Sequence, residues 1–478
     1  MKKNDLLLLS SVLSYSYLFY KEAAGVNFLI FSVILITCTA IKNKHVITNR
    51  AWLAASTGGI LSAICIILYG SALAVMANII SLSLAGSFAI HRRSSLLFSL
   101  AYSFFSYVSS VVYIIIGLSK QKKETKHNEP NKFESRLVIY FIPLFICIVF
   151  FTVYREANPL FKDLTQKLDF SFITWNLIQF IIFGFILLYG FYNQKYISSL
   201  RKFDLKNGDN LYEKNYNSTS PSIQNEVKSG IILFAMLNIM LLVVNILDLN
   251  YLLFSRTLPQ GVSYSGFLHQ SINMLILSIL LAIGIILYYF RGSLNFIHEN
   301  KTLKIIALIW MVQNVILIIT GLSKNSFYIG EYALTYKRIG VFVYLTLCLF
   351  GLITTCIKIV AAKSNWFLFR KNAWACYCIL ILCSFINWDR EIAKYNLHYA
   401  KKPDIGYILS LSASALPELI SYTQAGKTNM TEYQQRHLNQ KEFYFLDRHL
   451  GYGWPSWNIE RERIYAAIDE KRQAENLK

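Results

Sequence analysis

The sequence predicts an all-α protein: a polytopic transmembrane helix bundle of about twelve spans with a small helical C-terminal tail. Three observations predict it. Hydrophobic residues make up 55% of the 478-residue chain and charged residues only 15%, where a soluble domain carries about a quarter charged. Apolar runs long enough to cross a bilayer recur along the first 387 residues. The last ninety or so residues are too polar to span and carry helix-start signals instead.

The spans are expected at 6–20, 24–41, 51–70, 72–90, 96–118, 137–153, 173–193, 230–252, 267–290, 303–322, 338–360 and 366–387. The first is short and closed by Lys21-Glu22, which suits a partly interfacial segment. Met1-Lys2-Lys3 opens like a secretory leader, but no small-residue cleavage site follows, so no cleaved leader is expected. Two domains follow: a membrane bundle over 1–387 and a water-facing helical segment over 388–478. In that segment Asp404 is placed to cap IGYILSLS, and Thr431 with Gln434 has capping-box spacing. Asn458 precedes IERERIYAAI, whose Ile464 and Ile468 share a face.

The net charge is +20. The C-terminal segment is nearly balanced, so the excess belongs to the bundle, concentrated in loops such as SKQKKETKHNEPNKFESR (119–136) and 194–214. Lysine beside a span is the mark of a cytoplasmic loop and of anionic lipid, not of a nucleic-acid footprint. The expected partner is the lipid bilayer, with the C-terminal segment open to a protein partner and no nucleic acid. Orientation reads two ways. Basic residues at 42–50 and 91–95 place those loops inside. Loops 119–136, 194–229, 291–302 and 361–371 also ask to be inside, and with twelve spans both sets cannot be. Span 6–20 is the weakest placement, and the later loops put the tail outside.

The eight cysteines all lie in apolar spans without a CxxC pair, as small buried side chains do. P-loop, GxGxxG, HExxH and GxSxG motifs are absent, so no cofactor, metal site or catalytic residue is expected. The candidate polar site is built from span residues. Asp248 is the one acid inside a span, and Asn238 and Asn245 lie near the same helix face. An ionised group there must face the bundle interior or water. His269 opens the next span and can approach Asp248 across a short loop. Asn314, beside Gln313 in mid-span, reads as helix glue or a polar lining. Arg338 either snorkels to headgroups, pairs with Asp248 or binds an anion.

Several stretches together carry a family resemblance: REANPLFKDL, NILDLNYL, QNVILIITGLSKNSFYIGEYALTYKRI with its Tyr328, Tyr332, Thr335 and Arg338, then INWDREIAKYNL, DIGYILSLSASALPELI and WPSWNIERER. Over roughly 137–465 the chain resembles a bacterial family of polytopic membrane proteins known as domain of unknown function four-one-seven-three. That family usually has glycine where this chain has Ala333, and Asn-Pro where it has Asn387-Trp388. The resemblance implies a multi-pass protein of the bacterial cytoplasmic (inner) membrane and no assigned activity. The residues themselves favour a non-enzymatic envelope accessory or sensor. The alternatives are a transporter using a polar site around Asp248 and a membrane-embedded transferase acting on a lipid-linked substrate.

Overall fold

The computed structural model describes residues 3–120, 146–147, 149–151, 153–165, 174–195, 197–211, 221–255, 264–291, 300–401, 403–426 and 430–476. Among these the chain is helical throughout and contains no strand. Eight helices are long and apolar enough to cross a membrane, and Val26–Lys42 and Met274–Tyr289 are shorter apolar helices. The span expected at 137–153 lies largely outside the described residues.

Two compact units emerge: Met1–Lys202 with Arg448–Glu462, and Phe203–Asp447 with Arg463–Lys478. The first unit holds α1 (Lys3–Phe19), α2 (Val26–Lys42), α3 (Arg50–Tyr69), α4 (Ala72–Ile90), α5 (Leu96–Lys120), the short α6 (Pro159–Thr165) and α7 (Trp175–Tyr192). Local chemistry sets the boundaries. Asn49, Ser71 and Thr174 accept backbone N–H bonds at the starts of α3, α4 and α7. Gly70, in the left-handed region at φ 60°, ends α3. Small residues let α3 and α4 approach closely: Gly59 and Ser62 face Asn78, whose amide donates to the Gly59 carbonyl at 2.7 Å.

Contacts fix the direction of each helix in this unit. Ser11 of α1 meets Tyr192 of α7 at 2.8 Å, and Tyr20 meets Thr174 at 2.7 Å. Hence α1 and α7 are antiparallel, and the start of α7 lies with the α1–α2 link. Ser103 donates to the Ser83 carbonyl, and His91 packs on Tyr102, so α5 runs back along α4. The end of α5 and the start of α7 therefore lie at the same end of the unit. α1, the expected span 6–20, is buried along Leu8 and Val12 against α2 and α7.

The second unit holds α9 (Pro221–Asn250), closed by a π-helical turn at Tyr251–Ser255, then α10 (Tyr264–Tyr289), α11 (Lys301–Tyr332), α12 (Tyr336–Val360) and α13 (Asn365–Ser384). Before it comes α8 (Ser198–Lys206), divided between the units. Its core gathers Phe234, Phe290, Leu303, Met311 and Leu345. Beyond α13 come α14 (Trp388–Tyr399), α15 (Ile405–Ser410), α16 (Leu416–Gln424), α17 (Glu432–Leu450) and α18 (Ile459–Asn476). The expected caps form. Asp404 accepts from Tyr407 N, Thr431 and Gln434 exchange reciprocal bonds, and Asn458 accepts from Arg461 N at 2.8 Å. Ile408, Leu416, Leu419, Leu438, Ile464 and Ile468 form the core of this helical segment.

Candidate functional site

Helices α9 and α11 pack along much of their length, and their shared face carries a polar seam. It has three rungs. At the first, Asn238 donates to the Ile306 carbonyl at 3.1 Å and accepts from Gln313 Nε2 at 2.9 Å. At the second, Asn245 donates to the Gln313 carbonyl at 3.1 Å. At the third, Lys324 Nζ lies 2.6 Å from Asp248 Oδ1, and Thr320 donates to Oδ2 at 3.3 Å. The spacing explains the ladder. Steps of seven and three residues keep Asn238, Asn245 and Asp248 near one face, and steps of seven and four do the same for Gln313, Thr320 and Lys324 on the partner helix.

The ion pair is partly desolvated: side-chain exposure is 18% for Asp248 and 8% for Lys324. Its level follows from length. α11 has 32 residues, about 48 Å of helix against a hydrocarbon core of about 30 Å. Lys324 lies just past the apolar run that ends at Leu322. The pair therefore sits at the rim of the bundle, where a lysine stem stays in apolar surroundings and its ammonium reaches the carboxylate. The π-helical turn begins three residues after Asp248; such turns interrupt the regular backbone and recur at functional sites.

The sequence-derived candidates divide. Asn245 and Asp248 belong to the seam. Asn314 is buried but donates within its own helix, to the Trp310 carbonyl at 2.8 Å, so Gln313 supplies the glue. The side chain of His269 lies outside the described residues. Arg338 does not meet Asp248. Its guanidinium donates to the Tyr332 and Ala333 carbonyls and covers the Tyr328 ring at 4.2 Å. The partner of Asp248 is Lys324, which sequence reasoning missed because a lysine beyond an apolar run reads as an interfacial anchor. The available signal was that spans 230–252 and 303–322 finish on the same side.

Arg338 belongs to a second cluster, at the link between α11 and α12. Ala333 adopts φ 71° and ψ 174°, a conformation nearly reserved for glycine. Neighbours hold it there. Arg338 grips the carbonyls before it, Asn396 of α14 brackets Leu334 through both its N–H (2.6 Å) and its carbonyl (2.9 Å), and Asn325 donates to the Arg338 carbonyl. Tyr336 bonds Asp389 at 2.8 Å. The motifs around Tyr328 to Arg338 and around INWDREIAKYNL thus meet in space. Among the described residues no three His, Cys, Asp or Glu side chains converge as metal ligands would.

A bundle of long apolar helices with polar groups turned onto one another is that of a polytopic α-helical membrane protein. The chain belongs to the family described as Domain of unknown function (DUF4153), whose model matches residues 7–422. The match covers the apolar helices of both units and the start of the tail. No match was found among curated proteins or solved structures.

Proposed function

We propose that this protein is a non-enzymatic accessory or sensor component of a bacterial cytoplasmic membrane, in which the bundle is a scaffold and the C-terminal segment meets a partner. The observation that supports this reading is that the charges and amide donors of the seam are paired between α9 and α11, while the buried Asn245 Oδ1 and Gln313 Oε1 atoms accept no hydrogen bond. Asp248 is neutralised by Lys324, and Asn238, Asn245 and Gln313 turn their amides onto the facing helix. Polar groups so arranged lock two helices together. The test is turnover by purified protein supplied with lipid-linked and sugar substrates. No turnover is expected, and consumption of either substrate by the wild-type chain but not by an Asp248→Ala variant would overturn the reading.

A second reading, a transporter using the site around Asp248, is favoured by one feature: the carboxylate keeps partial access to solvent beside an irregular helix turn. Reconstituted into vesicles, it would show a pH- or cation-dependent flux that Asp248→Asn abolishes while the protein still elutes as a folded species. Flux unaltered by that change removes this alternative.

A further inference from the structure

The turn GYGWPSW is clasped by the α1–α2 link. The Glu22 carboxylate accepts from Gly453 N at 3.0 Å and from the Ser456 hydroxyl, and Ser456 Oγ in turn accepts from Ala23 N at 2.7 Å. Val26 N donates to the Trp457 carbonyl at 3.0 Å, and Asn458 donates to the Ala24 carbonyl at 2.9 Å. The backbone of Ser456 lies so close to Gly25 that a Cβ there would sit 2.4 Å from it. The turn is therefore fixed at the end of the first unit that holds the α1–α2 link, Gly70 and Thr174.

Trp454 of the turn faces outward along the bundle wall. Leu6, Leu13 and Tyr17 form an exposed stripe on α1, spaced to share one helix face. Trp454 continues that stripe, its ring 6.3 Å from that of Tyr17. Trp454 is 56% exposed and Tyr17 67%. A wall of leucine ending in tyrosine and tryptophan is the profile of a helix leaving the acyl region for the headgroups, where amphipathic rings are at home.

We infer that Trp454 is a membrane-interface anchor that seats the clasped C-terminal turn in the phospholipid headgroup layer at this end of the first unit. The test uses a full-length chain whose eight cysteines are replaced and single cysteines are then restored. With Trp454→Cys carrying a nitroxide, in phosphatidylcholine–phosphatidylglycerol vesicles, collision rates with oxygen and with a water-soluble nickel chelate should place the label at the headgroup level. A label as open to the nickel chelate as one at Lys44→Cys, on a water-facing loop, would overturn the anchor. Trp457→Cys serves if the first variant fails to fold.

Discussion

Removing Lys324 while keeping Asp248 is the sharpest perturbation of the seam. Lys324→Met preserves the length of the stem and deletes the ammonium 2.6 Å from Oδ1. The carboxylate keeps only the Thr320 hydroxyl at 3.3 Å. Breaking one side of a buried pair costs about 3–5 kcal/mol because the remaining charge is left desolvated. Asp248 retains 18% exposure, so the lower end, about 3 kcal/mol, is expected. Asp248→Asn alone leaves a buried ammonium and a weaker acceptor, and should cost about 2–3 kcal/mol. The double variant leaves no uncompensated charge and should fall within about 1 kcal/mol of wild type, since apolar or neutral replacement of a whole pair is often neutral. A double-mutant cycle read by denaturant unfolding in detergent micelles then gives a large coupling energy of opposite sign to the single losses. Strictly additive losses would refute the claim that these two side chains act as one element.

Other expectations follow from the geometry. Ala333→Gly should stabilise the protein by about 1 kcal/mol, because relief of a positive-φ strain of about 1–3 kcal/mol exceeds the chain-entropy cost of glycine; an unchanged or lower melting temperature would contradict the strain. Gly25→Ala puts a methyl against the Ser456 backbone and should expose 448–462 to limited proteolysis, with amide exchange in that segment rising in step. Burial brings the Lys441 ammonium, which donates to the Leu409 and Leu411 carbonyls, down to about 8 from 10.5. The unfolded chain thus binds this proton more tightly, so stability should rise as pH climbs from about 8 towards 10.5, and Lys441→Met should flatten that rise in a melting series.

What could be read from residues alone was whatever depends on neighbours in sequence. Apolar runs at 51–70, 72–90 and 338–360 became helices within a residue or two, because a span is defined by its own length and composition. The Thr431–Gln434 box formed because both partners lie within one turn. Lys324 was illegible for the opposite reason: its partner is 76 positions away, and nothing in SKNSFY distinguishes a paired lysine from a snorkelling one. The same distance hid the clasp on Glu22. Ala333 is intermediate. Its departure from the usual glycine was visible, but only the backbone angle shows that the departure carries strain.

That clasp also sets a clock. Ser456 follows Glu22 by 434 residues. At about 5–20 residues per second of synthesis, Glu22, Ala23 and Gly25 wait roughly 20 to 90 s for the strand of chain that covers them. During that interval the helices of the first unit have already been synthesised, yet the residues that cover Glu22 and the α1–α2 link have not. A newly made molecule therefore passes through a stage in which the helices of the first unit have been made and the segment that fastens them is still to come. A chain cut short before residue 448 would remain in that stage.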